Sequence, residues 1–109
     1  MSIKIALLKS GEQVVTDIKE LLSEDKPVGY LFKDPEKIAI NKPFLVQEDV
    51  IDNSVEVSLS SWILLSNDRE MAVPTDWVVT VVDPIDSVLK MYKEKVNGKD
   101  YKVPSAEDG

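Results

Sequence analysis

Two side chains that carry much of protein chemistry near neutral pH, histidine and cysteine, are absent from this chain. Their absence removes disulfides, zinc-finger spacing, a thiolate nucleophile, a Ser-His-Asp triad and a histidine base. Carboxylates, lysines, tyrosines and hydroxyls remain. Glu48, Asp49, Asp52 and Asn53 bring oxygen atoms together in sequence, the donor type that calcium takes. They lack the alternating spacing and mid-loop glycine of a calcium-binding hand, so they read as an acidic solvent loop. Asp17 and Asp76 could act as acid and base only if the fold joined them, and nothing in their spacing does so. Lys9-Ser10-Gly11 has one glycine and no helix behind it, too little for a phosphate loop. The expectation is a protein that is not an enzyme, with no cofactor and no metal.

Binding chemistry has two carriers. Trp62 and Trp77 could stack on bases, as aromatics do in single-strand binders, but both lie beside apolar runs, where core or interface packing uses them instead. Lys90, Lys93, Lys95, Lys99 and Lys102 gather near the C-terminus. Lys90, Lys93, Lys95 and Lys99 are the candidate contacts for an RNA or single-stranded nucleic acid. Against that reading, 13 basic and 20 acidic residues leave a net charge of -7, which opposes attraction to a polyphosphate. A solvated helix face explains the same lysines more simply.

The elements that must position these residues are mostly strands. The 109 residues, 43% hydrophobic and 30% charged, suit a single soluble domain with one modest core. Ile3 to Leu8, the turn Lys9-Ser10-Gly11-Glu12 and the β-branched run Gln13 to Ile18 predict a hairpin. Ser23 to Pro27 reads as a polar connection, Val28 to Phe32 as a strand, Lys33-Asp34-Pro35-Glu36 as a turn, and Ile38-Ala39-Ile40 as another strand. Asn41-Lys42-Pro43 interrupts before Phe44-Leu45-Val46. Val55 to Leu59 alternates strictly and continues into Trp62-Ile63-Leu64-Leu65, apolar on both faces. After the turn Ser66 to Glu70 and the brief Met71-Ala72-Val73, Trp77 to Val82 is again apolar on both sides.

One helix is predicted, over 84–97. Asp83 suits its N-cap and Pro84 its first turn; Ile85, Val88, Leu89, Tyr92 and Val96 fall on one face, and Gly98 ends it. Residues 1–98 then form one domain, and 99–109 a disordered tail. No stretch approaches the roughly 20 apolar residues of a membrane span, and no signal-peptide pattern stands at Met1 to Leu8, so a cytoplasmic location is expected.

Leu8-Lys9-Ser10-Gly11-Glu12 with its following strand resembles the first hairpin of the Sm-like family. The strand to Leu65, the polar turn and Val73 to Val81 are similar to that family's second motif. The resemblance implies a small, strongly bent barrel of five to six strands, Sm-like or SH3-like, that pairs edge to edge into rings. The departures bear on function. Pro74 and Thr75 stand where RNA-binding members have Arg-Gly, and Asp25-Lys26-Pro27-Val28-Gly29 stands where the family runs an Asp-x-x-Met-Asn loop, so both halves of the uridine pocket are replaced. The stretch from Lys33 to Ser54 is longer than in the family, and the helix follows the barrel instead of preceding it. The general pattern also resembles small uncharacterised phage or bacterial proteins.

A barrel this small has one interior, so apolar residues on both faces of Trp62 to Leu65 and Trp77 to Val82 need outside cover. The helix covers one set, and a second chain is expected to cover the other. The expected function is a non-catalytic assembly or interaction module forming a homo-oligomer, with a protein partner also admitted. Trp62, Leu64, Trp77, Val79 and Val81 are the candidate interface residues.

Overall fold

The computed structural model describes residues 2–41 and 56–107. The expected strand Phe44-Leu45-Val46 and the acidic group Glu48, Asp49, Asp52 and Asn53 lie outside the described residues. Among these residues six antiparallel strands and one helix follow in the order β1 (Ile3–Leu8), β2 (Gln13–Ser23), β3 (Lys26–Asn41), β4 (Glu56–Ser61), β5 (Glu70–Pro74), β6 (Val78–Val82) and α1 (Asp86–Glu107). A 3-10 turn, Thr75–Trp77, joins β5 to β6.

The strands run side by side as β4-β3-β2-β1-β6, and β5 pairs with β3 beyond that path. The fold is mainly β with a C-terminal helix, as expected, but among the described residues no ladder joins β6 to β4 or β5. The sheet is therefore not closed into the expected barrel. Its curvature comes from β3, which merges the two strands and the turn read from the sequence. One edge of β3 pairs with β2, while the other pairs with β5 over Gly29 to Lys33 and with β4 from Glu36 to Asn41. Between them Asp34 has φ +50°, a conformation that aspartate tolerates better than most residues. Lys33 to Glu36 is thus a bend inside a strand. The opposing register shift at Thr16 lets β2 follow it.

The β2–β3 connection is tighter than the polar segment expected. Ser23 pairs with Lys26, leaving Glu24 and Asp25 as the turn, at φ 52° and 66°. Positive φ at both central residues marks a type I′ turn, whose twist matches the flanking strands. Residues 25–29, compared above with a base-holding loop, are therefore the end of a hairpin turn and the start of β3.

Two apolar clusters lie on opposite faces of the sheet. Ala6, Leu8, Val14, Ile18, Phe32 and Val73 form one, with Trp62, Met71, Val78 and Val81 packed against it. Val15, Val88, Tyr92 and Val96 form the other, where α1 lies on Ile3, Ile5, Ile38 and Leu59. The helical spacing of Val88, Tyr92 and Val96 builds that contact. The helix bounds differ from 84–97 at both ends. Asp83 is not a cap, because its carboxylate takes the Lys4 ammonium, and helical bonding starts with Leu89 N–H to the Ile85 carbonyl. Gly98 does not adopt the left-handed conformation that would stop the helix, so the backbone stays helical to Glu107. Residues 99–107 are accordingly helical where a disordered tail was expected.

Candidate interaction surface

The expected interface residues part company in the structure. Trp62 does not continue β4. Its N–H donates to the Pro35 carbonyl (3.1 Å), and its ring tilts against Phe32 at a centroid distance of 5.8 Å. The chain then leaves the sheet, so Trp62-Ile63-Leu64-Leu65 is a turn and not the strand expected. Leu64 is 73% exposed and Leu65 98%.

Along β6, alternation predicts Trp77, Val79 and Val81 on one side. A register shift at Leu7/Leu8 intervenes, with Ala6 opposite Val81 and Leu8 opposite Val78. Val78 and Val81, three positions apart, both pack on the inner cluster, and Val79 is left outside at 59% exposure. Trp77 is 43% exposed, and Val82 and Ile85, further along the chain, are exposed as well. One edge of β6 pairs with β1; the other has no partner strand among the described residues.

The basic candidates divide as well. The Lys95 ammonium lies 2.9 Å from the fully buried carboxylate of Glu36 and also donates to the Leu59 carbonyl. It fastens α1 to β3 and β4. Lys90 and Lys93 are exposed, and Asp86 and Glu94 stand beside them on the outer face of α1. The side chain of Lys99 lies outside the described residues.

Buried polar groups missed by sequence reasoning gather at the bend of β3. The Lys33 carbonyl accepts from the Thr16 hydroxyl (2.8 Å) and the Tyr92 hydroxyl (2.9 Å). Tyr92 also accepts the Asp17 N–H (3.1 Å), and burial pushes its hydroxyl well above the usual tyrosine range. Asp34 is held by Arg69. In the sequence these groups looked like turn residues and a helix-face aromatic; their only signal was a set of charges beside a proline. The hydrogen bonds from Ser10 and Trp62 and the nearby Lys37 hold the Glu12 carboxyl below its usual range against a partial desolvation. Ser10 is the largest of these causes, so Lys9-Ser10-Gly11 serves the first hairpin.

Asp17 lies on β2 and Asp76 in the 3-10 turn, in different elements. Among the described residues no cluster of three or more acids could hold a metal ion, and no helix is long and apolar enough to cross a membrane. A model of a protein family described as a family of unknown function (DUF6561) matches residues 1–97, which takes in all six strands and the packed part of α1. No curated protein matches the chain.

Proposed function

We propose that this chain, which belongs to the DUF6561 family, is a non-catalytic, Sm-like assembly module that forms a homo-oligomer through the open edge of its sheet. One observation carries the reading: among the described residues β6 has no partner strand on one edge and, beside it, exposed Trp77 and Val79. An apolar edge strand offers its free N–H and C=O groups to another strand, and native proteins normally blunt such an edge with charge, proline or a covering element. Residues 78–82, Val-Val-Thr-Val-Val, carry no charge and no proline. Trp77 and Val79 are the contact residues from the expected set; Leu64 belongs to a separate surface, and Trp62 and Val81 support from within. The cytoplasm is the compartment proposed for it.

Nucleic-acid binding through α1 loses ground on the same grounds of chemistry. With Lys95 committed to Glu36, the described lysines left on that helix, Lys90 and Lys93, stand beside Asp86 and Glu94, on a body of net charge -7.

Size-exclusion chromatography with light scattering tests the reading. The expected result at micromolar concentration is an integral multiple of 12.2 kDa. A monomer mass under those conditions would overturn it.

A further inference from the structure

Four consecutive residues at the bend of β3 fasten it to elements on both faces of the sheet. The Lys33 carbonyl accepts from the Tyr92 hydroxyl of α1 (2.9 Å) and the Thr16 hydroxyl of β2 (2.8 Å). Asp34 donates its N–H to the Arg69 carbonyl (2.6 Å) and accepts the Arg69 guanidinium on both carboxylate oxygens. The Pro35 carbonyl accepts from the Trp62 N–H (3.1 Å), and the Glu36 carboxylate meets the Lys95 ammonium (2.9 Å). Lys33 and Glu36 thus serve α1. Asp34 and Pro35, between them, serve Arg69 and Trp62 at the two ends of the loop from β4 to β5.

These holds share one backbone conformation. The peptide plane between Lys33 and Asp34 gives its carbonyl to α1 and its N–H to the loop, so neither bond can turn without the other. Asp34 sits at φ +50° and is 2% exposed. A residue other than glycine keeps such a φ only where its surroundings over-determine it, and the alternative is a return to negative φ. That return would rotate the Lys33–Asp34 peptide against Pro35 and Glu36, and Tyr92, Arg69, Trp62 and Lys95 could not all follow. Asp34 and Glu36 are also buried anions two positions apart, each met by a cation from a different element. Loss of either cation leaves its anion to repel the other.

We propose that this bend is a conformational coupler between the two faces of the sheet: α1 seated on Lys33 and Glu36 keeps Asp34 left-handed and the β4–β5 loop in order, and the anchored loop keeps α1 seated. Asp34 is the two-state element that both sides bias, which gives the coupling a physical carrier. Coupling of this kind is reciprocal. Its consequence falls on the loop tip, where Leu64 and Leu65 are exposed. Whatever displaces α1 also reshapes that tip. The coupling acts within one protomer and does not rest on self-association.

Amide hydrogen exchange of the full chain, resolved by NMR, tests the coupler. Lys95→Met and Tyr92→Phe loosen the bend from α1; Arg69→Lys, which keeps the charge and removes the fork, loosens it from the loop. The β1–β2 ladder reports global unfolding, and amides that exchange faster than the ladder report local opening. The expected result is that both helix-side variants speed local exchange at the Trp62 and Ser66 amides about tenfold, and that Arg69→Lys does the same from Leu89 to Val96. Faster exchange confined to α1 in the helix-side variants, with the loop amides at the wild-type rate, overturns the coupling, because the helix then leaves alone. Loop and ladder amides that exchange at one common rate in the variants overturn it too, since the substitutions then act on global stability only. Tyr92→Phe leaves the Thr16 hydroxyl on Lys33, so this milder change still decides the matter if Lys95→Met does not fold.

Discussion

Arg69 holds Asp34 with two parallel hydrogen bonds, Nε to Oδ1 at 2.7 Å and Nη2 to Oδ2 at 2.8 Å, over the bend of β3. Asp34 is 2% exposed and sits at φ +50°, so the pair fixes an unusual backbone as well as a buried charge. Bidentate geometry is the strongest form of this contact. Replacing Arg69 by Met leaves the carboxylate buried without that fork. The expected loss is about 3 kcal/mol, the lower end for a broken buried pair because Arg69 is partly exposed. Urea unfolding followed by circular dichroism measures it. Asp34→Asn, which keeps a side chain that tolerates positive φ, should lose less; an equal or larger loss would contradict this account.

Tyr92 joins the helix to the same bend. Its hydroxyl donates to the Lys33 carbonyl and accepts from Asp17 N–H, so Tyr92→Phe takes the acceptor from the Asp17 N–H and one of two donors from the Lys33 carbonyl, which keeps the Thr16 hydroxyl. A destabilisation of about 1–3 kcal/mol is expected. The pH dependence follows from the raised hydroxyl, whose main cause is burial. The folded state prefers the neutral phenol. Its contribution is therefore fully present below the ordinary tyrosine value of about 10 and is lost as pH rises past it toward the higher folded value. Absorbance of phenolate against pH should show Tyr92 ionising only as the chain unfolds. Stability of the wild type should decline above about pH 10 more steeply than that of Tyr92→Phe.

Gly29 stands opposite Pro74, where β5 crosses β3. A Cβ at Gly29 would come within 2.9 Å of the Val73 carbonyl oxygen, so glycine is needed for the approach of two backbones. Gly29→Ala must push β5 outward and is expected to cost about 1–3 kcal/mol, as overpacking does. A thermal melt reads this loss; an unchanged melting temperature would show that β5 moves freely. Gly29 and Pro74 come from the two segments compared above with the RNA-binding pattern, and here they form a strand contact.

The hairpin of β1 and β2, the strand content and the Val88, Tyr92 and Val96 part of the helix face were legible because each depends on local composition and spacing, whereas Ile85, expected on that face, is 69% exposed. The β-branched run of Val14, Val15, Thr16 and Ile18, or the spacing of Val88, Tyr92 and Val96, holds wherever the chain goes next. The bend of β3 was not legible. Lys33-Asp34-Pro35-Glu36 has the composition of a turn, and only the switch of partner from β5 to β4, set by residues far along the chain, keeps it a strand. Val81 was placed outside for a related reason: an extra residue in a ladder reverses the facing of everything beyond it, and register depends on β1. Gly98 shows the limit of a stop signal, since glycine permits the left-handed conformation without imposing it. Of the candidate surface, the sequence pointed to Trp77, Val79 and Leu64. It could not show that Lys95 has a buried carboxylate to serve.

The edge of β6 gives the last prediction. Val79 is exposed, so a substitution there should change the stability of the folded protomer by no more than about 0.5 kcal/mol. A lysine on an edge strand, in contrast, opposes pairing with another strand because its charge would be drawn out of water. Val79→Lys should therefore lower the solution mass while leaving the urea midpoint, read on dissociated protein at high dilution, almost unchanged. Val81→Lys places the same charge in the inner cluster beside Ala6 and should unfold the protomer instead. The contrast separates an interface residue from a core residue two positions away on one strand. If both variants fold and both keep the wild-type mass, the β6 edge is not where the copies meet.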